Sequence, residues 1–378
     1  MSNRHFVCCT TDIRYDGRVY SLINTLSQAF PNEKIHIYNL IDKNIQIFFP
    51  LPNIIYHRIG FLIKYFPESR VIRLLSCCGY ALFVFFNLLI YRPRTVQVHH
   101  EGVLLAPYFY KLLFRSSVLV FDDKELYHPR DHNIPRFLYR LEIGVIKLAN
   151  LVIFTNNERQ RAVKLILHRE RIPHLIIYNF VFNNNVVDLD LTIKERIEQI
   201  REDGFKILLH QGALSNIRGR DNIKNIIEKA PEEWKICFIG IKEKEFEDLK
   251  LSLKEEFRRK IINIGYISYD QLNTFWQQVD AAIMFYDACN FNNKYCAPNR
   301  LYLAVNNGIP FIGNTDNFTL SSFINKNNNG VLIPPNKNID YFFSNYRVIR
   351  EKALLLVNKF NYNDNLLRDL LFYYYSLK

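Results

Sequence analysis

None of the seven cysteines (8, 9, 77, 78, 237, 289 and 296) belongs to a Cys-x-x-Cys pair, which excludes zinc-ribbon and dithiol redox motifs. An odd number of mostly apolar-flanked thiols fits a reducing compartment better than a disulfide framework. No basic-then-apolar leader opens the chain, because Met1–His5 run directly into a strand pattern. The expected location is therefore the cytoplasm. No long basic block and no base-stacking motif calls for nucleic acid. No His/Cys cluster has metal-ligand spacing, so neither a metal nor a bound cofactor is expected. Solenoid-type repeats are absent as well.

What is present is globular. The chain has 378 residues, 49% hydrophobic and 15% aromatic, enough for two domains with sizeable cores. Strand-like apolar runs alternate with helical patterns from end to end, as a parallel α/β architecture requires. The net charge of +12 is uneven: residues 1–180 carry 23 Lys/Arg against 13 Asp/Glu, and residues 181–378 carry 26 against 24. The basic first half suits an anionic partner such as a phospholipid surface or a diphosphate-bearing lipid, or it is a solvated basic surface. Residues 74–91, LLSCCGYALFVFFNLLIY, form the most apolar run, flanked by Arg70, Arg73, Arg92 and Arg94. Its length raises a membrane span. A span would put strands 5–11 and 95–100 on opposite sides of a bilayer and break their sheet. The remaining readings are a core helix or an interfacial helix whose arginines meet lipid headgroups.

Several loops carry candidate chemistry. In CAPNRLYLAVNNGIP (296–310), Pro298 suits the first turn of a helix that Gly308 ends and Pro310 keeps from resuming. The free N–H groups after Pro298, with Asn299 and Arg300 beside them, form an anion site if the helix is not simply a surface element. FKILLHQGALSNIRGR (205–220) is a strand feeding a helix through a glycine turn, where Gly212 and Arg218 can meet a phosphate. In the opening loop, Gly17 permits close approach of a ligand between Asp16 and Arg18, which could equally pair with each other. Two further strands end in polar clusters, His99–His100–Glu101 and Asp122–Asp123–Lys124–Glu125, at the end of a sheet where ligands bind in open α/β folds.

These stretches resemble, in order and over nearly the whole chain, the retaining GT-B glycosyltransferases. Pro298, Asn299, Leu301, Gly308 and Pro310 match the donor-site pattern P-N-K-L-F-E-Y-M-x-x-G-x-P, with Arg300 for Lys and Leu303 for the Glu that holds the donor ribose. Gln211, Gly212, Leu214, Arg218 and Gly219 match Y-Q-G-x-L-x-x-x-R-G, with Ala213 in place of a second basic residue. Asp16, Arg18 and Val19 match D-x-R-V. Asp122, Glu125 and Leu126 match Y-D-x-H-E-L, with Lys124 at the His position.

The resemblance implies two Rossmann-like domains facing a central cleft: an acceptor-side domain over 1–182 and a donor-nucleotide domain over 183–355. A helix over 356–378 would pack back on the first domain. It implies retaining transfer of a sugar from a nucleotide-diphosphate sugar to a saccharide or lipid-diphosphate-linked acceptor, as in surface polysaccharide synthesis at the inner membrane face. No metal is then needed, because Arg218 and Arg300 meet the diphosphate. Asp16, Gly17, Arg18, Gly212, Arg218, Tyr266, Pro298, Asn299 and Arg300 are the substrate-binding candidates, with Tyr266 near the base. His100, Glu101, Lys124 and Glu125 are the acid/base candidates. Two other readings stay open: a nucleotide-sugar epimerase on the same fold, and a silent scaffold subunit, for which Lys124 and Leu303 speak.

Overall fold

The computed structural model describes residues 2–9, 16–39, 52–58, 70–99, 101–125, 128, 136–169, 171–179, 187–268, 271–334, 337–357, 368 and 371–372. Two compact units emerge. The first comprises Met1–Tyr178 with Tyr362–Lys378, and the second comprises Asn179–Asn361.

The first unit is a parallel sheet of Ser2–Cys9 (β1), Lys34–Asn39 (β2), Ile54–Arg58 (β3), Pro93–Val98 (β4), Val118–Asp123 (β5), Leu151–Phe154 (β6) and His174–Ile176 (β7). The strand order is β3-β2-β1-β4-β5-β6-β7. Helices Gly17–Ala29 (α1), Arg70–Tyr91 (α2), Leu105–Leu113 (α3), Arg136–Leu148 (α4) and Asn157–Leu167 (α5) lie between them in sequence. Strands covered on both faces read as unbroken apolar runs; β5 and β6 are buried at every position. The 74–91 run lies in α2, and β1 pairs directly with β4. That pairing keeps both ends of the connection on one sheet, so α2 is a crossover helix. Among the described residues no helix is long and apolar enough to cross a membrane. Near the carboxyl terminus Leu371 is buried, and Phe372 stacks on Phe30 at 5.7 Å.

The second unit has Lys206–Gln211 (β8), Trp234–Ile239 (β9), Ile261–Gly265 (β10), Ala281–Met284 (β11), Phe311–Asn314 (β12) and Gly330–Ile333 (β13), ordered β10-β9-β8-β11-β12-β13. The helices are Leu191–Glu202 (α6), Arg220–Lys229 (α7), Glu243–Ser252 (α8), Glu255–Arg258 (α9), Leu272–Trp276 (α10), Phe291–Tyr295 (α11), Asn299–Asn306 (α12), Phe318–Asn327 (α13), Lys337–Ser344 (α14) and Tyr346–Leu354 (α15). Trp234, Phe238, Ile283, Ile312 and Phe342 are among the side chains that close its core. Each sheet reverses its strand order once, between β1 and β4 and between β8 and β11. Such reversals leave a crevice beyond the strands' carboxyl ends, where ligands of doubly wound folds bind.

All seven cysteines are free thiols. Burial pushes Cys8 and Cys237 up to about 12, so they behave as small apolar core groups.

His210 is the one histidine of the second unit. It is fully buried, and neither ring nitrogen has a hydrogen-bond partner. Burial, aided by the charges of Arg300 and Arg218, brings its pKa down to about 3 against the pull of the Ala213 and Gly212 backbone. A depressed folded pKa means that stability is whole above the unfolded value of about 6.5 and is lost as pH falls toward 3. Both tryptophans, Trp234 and Trp276, also lie in this unit. Urea unfolding followed by tryptophan fluorescence should therefore show about 2 kcal/mol less stability at pH 5 than at pH 7. His210→Leu should remove that difference; an equal difference in the variant would reject this assignment.

Candidate anion site and polar network

The loop after β8 begins at Gly212, whose φ of +95° only glycine adopts readily. It passes through a 3-10 turn, Asn216–Arg218, and closes at Gly219, where φ is +76°. A Cβ on Gly219 would lie 2.7 Å from the Phe285 ring, so glycine lets the turn pack onto the end of β11. The residue after Phe285 is Tyr286, and two cations share its ring. The Arg218 guanidinium carbon sits 4.0 Å from the ring centroid and that of Arg300 4.8 Å from it, both within cation–π range.

The two arginines are held differently. Arg300, buried in the first turn of α12, donates from Nε to Tyr286 Oη at 3.1 Å and from Nη1 to the Gln211 carbonyl at 2.5 Å. Gln211 is itself anchored, its Oε1 accepting from Trp276 Nε1 at 2.9 Å. Asn314 pins the Tyr286 backbone by accepting from its N–H at 3.1 Å and donating to its carbonyl at 3.0 Å. The Arg218 side chain makes neither a hydrogen bond nor an ion pair among the described residues, and its Nη1 is buried without a partner. A buried guanidinium donor costs free energy until an acceptor reaches it. Two guanidinium groups so placed can bind one anion together.

Pro298 is the N-cap of α12, at φ −67° and ψ 140°, immediately before the first helical residue Asn299. The opening N–H groups of α12, beginning at exposed Asn299, add donors at the same strand ends. Gly308 closes the helix at φ +60°, as its sequence position requires. Leu303 is fully buried in the α12 core face. Tyr266 follows β10 and is 71% exposed, leaving its ring face open.

The first unit gathers charge at its own reversal point, and there the charges cancel. Asp16 and Arg18 do not pair with each other. Asp16 caps α1, accepting from Val19 N, and meets Lys124 Nζ at 2.5 Å. Arg18 reaches Asp122 through Nε at 3.0 Å and Nη2 at 2.6 Å, and gives Nη1 to the Ile177 carbonyl at 2.5 Å. Its donors are thus spent on the scaffold, as is the charge of Lys124, which corrects the picture of both as open ligand groups. His99 is fully buried, with Nδ1 2.8 Å from Asp122 Oδ2 and Nε2 2.7 Å from the Gln97 amide nitrogen. Accepting from that amide leaves the proton on Nδ1, which donates to Asp122. Burial lowers the His99 pKa, against the hydrogen bond and charge of Asp122. Burial pushes Asp122 up, but Arg18 and His99 overcome it and hold the carboxylate well below its usual range.

Glu101 opens a short 3-10 turn, Glu101–Val103; its side chain and all of His100 lie outside the described residues. Glu125 is half-buried just past β5.

Three features escaped the sequence reading. Tyr286, the ring under both cations, was signalled only by its place just past an apolar strand. Asp123 is buried with neither carboxylate oxygen hydrogen-bonded and with Arg159 Nη1 at 4.0 Å. Burial raises it to about 7 despite the Arg159 charge, with Asp122 and Glu125 adding to the rise. An Asp-x-Asp spacing also occurs at Asp188 and Asp190, ahead of α6, where Gln271 Nε2 donates to the Asp188 carbonyl and to Asp190 Oδ1. Among the described residues no group of three or more His, Cys, Asp or Glu is placed to hold a metal ion.

No protein-family model matches the chain, and no curated protein matches it in sequence. Solved structures do match in fold. Anabaena Alr3699/HepE, crystallised with UDP, superposes with a TM-score of 0.70 at 13% identity, covering 98% of each chain. Sucrose-phosphate synthase from Thermosynechococcus elongatus gives 0.70 at 12%, again over 98% of each chain. The lipopolysaccharide outer core galactosyltransferase WaaB gives 0.58 at 16%, over 99% of this chain and 96% of that one. The fold is GT-B, built of two Rossmann-like units.

Inorganic pyrophosphate is a direct probe of the cation pair. Arg218→Ala should weaken its binding by more than about tenfold, the factor for a loss of about 1.4 kcal/mol. Tyr286→Leu should approach that loss, whereas Tyr286→Phe, which keeps the ring face, should bind nearly as the parent does. Calorimetric titration of the three variants checks this, and full affinity in Tyr286→Leu would show that the ring does not position the pair.

Proposed function

We propose that the protein is a glycosyltransferase that takes a sugar from a nucleotide-diphosphate donor held at the second unit's strand-order reversal. The observation that carries this reading is Arg218, a guanidinium with no hydrogen-bond or ion-pair partner among the described residues, set against the same ring as Arg300. A diphosphate bridging the two would satisfy the buried Nη1 and receive the first-turn N–H groups of α12. As the bond to the sugar breaks, negative charge grows on the departing diphosphate, and donors already in place stabilise it without reorganising. The structural neighbours support the donor class, since HepE has been crystallised with UDP and with UDP-glucose. Uridine nucleotides are therefore the first to test.

The reaction we propose is transfer with retention to a saccharide or lipid-diphosphate-linked saccharide, of the kind used in surface polysaccharide assembly. Asp16, Arg18, Asp122 and Lys124 shape the acceptor end of the first unit, with half-buried Glu125 just past β5. The uncommitted Arg218 favours a working donor site over a silent scaffold. Hydrolysis of donor in the absence of acceptor separates transferase from scaffold. A thermal-shift screen of nucleoside diphosphates and their sugars tests the reading as a whole, because ligand that binds only the folded state raises the melting temperature. No shift with any nucleotide, alongside intact pyrophosphate binding, would overturn it.

Two outcomes follow from the residues themselves. Turnover should persist in excess chelator, because Arg218, Arg300 and the α12 N–H groups supply the positive charge a divalent ion otherwise brings. Activity lost in chelator and restored by magnesium or manganese would reject that. Leu303, aliphatic and buried, gives the donor ribose no carboxylate, an acceptor worth about 1.5–3 kcal/mol. A 2′-deoxy donor should then bind within a few-fold of the ribo form. Strong discrimination in a competition titration would mean that another residue reads the ribose.

A further inference from the structure

The helices α2, α3 and α4 precede β4, β5 and β6, which step across the sheet in one direction. Right-handed crossovers place such helices side by side on one face. Gly144 of α4 confirms the contact with α3, since a Cβ there would lie 2.8 Å from the Tyr108 ring. At the carboxyl ends of α2 and α3, the Arg92 guanidinium stands 5.6 Å from the Phe114 ring centroid.

The inward sides of this layer are ordinary core. Tyr80, Val84 and Leu88 of α2 and Ala106 and Tyr110 of α3 are buried. The outward sides are not ordinary surface. Along α2, Leu75, Leu82, Phe83, Phe86 and Ile90 follow one helical stripe, with Phe83 43% and Ile90 73% exposed. Along α3, Leu105, Phe109, Leu112 and Leu113 repeat the pattern, and Phe137 continues it on α4. Monomeric proteins seldom leave ten large apolar side chains open on three adjacent helices without something to cover them.

Charge identifies the cover. Between Glu68 and Asp122 the chain has one acidic residue, Glu101, and the one acid of α4, Glu142, is buried. Arg92, Arg115, Arg136, Arg140 and Lys147 are exposed around the apolar field. A second copy of the same face would bring these like charges together, since a self-complementary interface needs both signs. An apolar field with a basic margin matches acyl chains beneath anionic headgroups.

We propose that the outward face of α2, α3 and α4 docks the first unit on an anionic lipid bilayer, with the helices lying along the interface. The apolar side chains enter the acyl boundary, and the arginines meet the phosphate layer above it. This surface is distinct from the donor site and stands or falls without it.

Flotation of the full chain with vesicles distinguishes the possibilities. The protein should float with phosphatidylcholine vesicles containing 30% phosphatidylglycerol. Binding should fall at least tenfold on pure phosphatidylcholine and in 0.5 M salt. Phe83→Ser with Phe86→Ser and Ile90→Ser should abolish flotation while leaving pyrophosphate binding and the melting temperature unchanged, because these side chains are already exposed. Arg92→Glu with Arg115→Glu should weaken it at least tenfold. In unit two, Leu251→Ser removes an equally exposed leucine and should change nothing. Equal binding to neutral and anionic vesicles would overturn the proposal. So would absence of flotation, or a concentration-dependent dimer in vesicle-free solution that the triple variant dissolves.

Discussion

Two guanidinium groups held against one tyrosine ring, neither paired with a carboxylate among the described residues, set the terms for the second unit. Like charges repel, and a buried donor without an acceptor is costly, so the pair persists only because its surroundings hold it in place. Gly219 lets the turn carrying Arg218 sit against the end of β11. Asn314 locks the Tyr286 backbone, and Trp276 orients the Gln211 whose carbonyl takes Arg300. The same two charges help keep His210 neutral below them. Rigid neighbours around an unsatisfied charge are the arrangement expected of a preorganised anion site.

The first unit has the same kind of location and the opposite electrostatics. Arg18 and Asp122 neutralise each other, as do Asp16 and Lys124, and neutral His99 supports Asp122 from behind. Residue type alone does not separate these roles. Arg18 and Arg218 both follow strand-to-helix turns, yet one has spent its donors on a buried carboxylate and a carbonyl, and the other has none to meet. Which cation awaits a ligand is decided by who stands opposite it.

Much of the architecture was legible in the chain. Unbroken apolar runs alternating with amphipathic stretches identify buried parallel strands and their crossovers, and the strand read at the start of FKILLHQG is β8. The helix around 299–306 was marked by a proline before it and a glycine after it, since both act through local backbone geometry. Gly212, Arg218 and Arg300 were legible for a related reason: a glycine turn and a helix start are local devices, read within a few residues. The apolar character of 74–91 was equally plain.

The remainder depends on contacts between residues far apart in sequence. Tyr286 lies 68 residues from Arg218 and 14 from Arg300, and nothing in its own neighbourhood announces that both will rest on it. Arg18 and Lys124 looked available because their carboxylate partners, Asp122 and Asp16, lie more than 100 residues away. The stripe on α2 could be core or surface until packing chose its inward side and left the other bare. The sequence by itself determined which segments are strands and helices and where backbone geometry requires glycine or proline. Only the tertiary structure decided which charges are cancelled, which is left waiting, and which apolar face is uncovered, because each depends on what the fold brings opposite it.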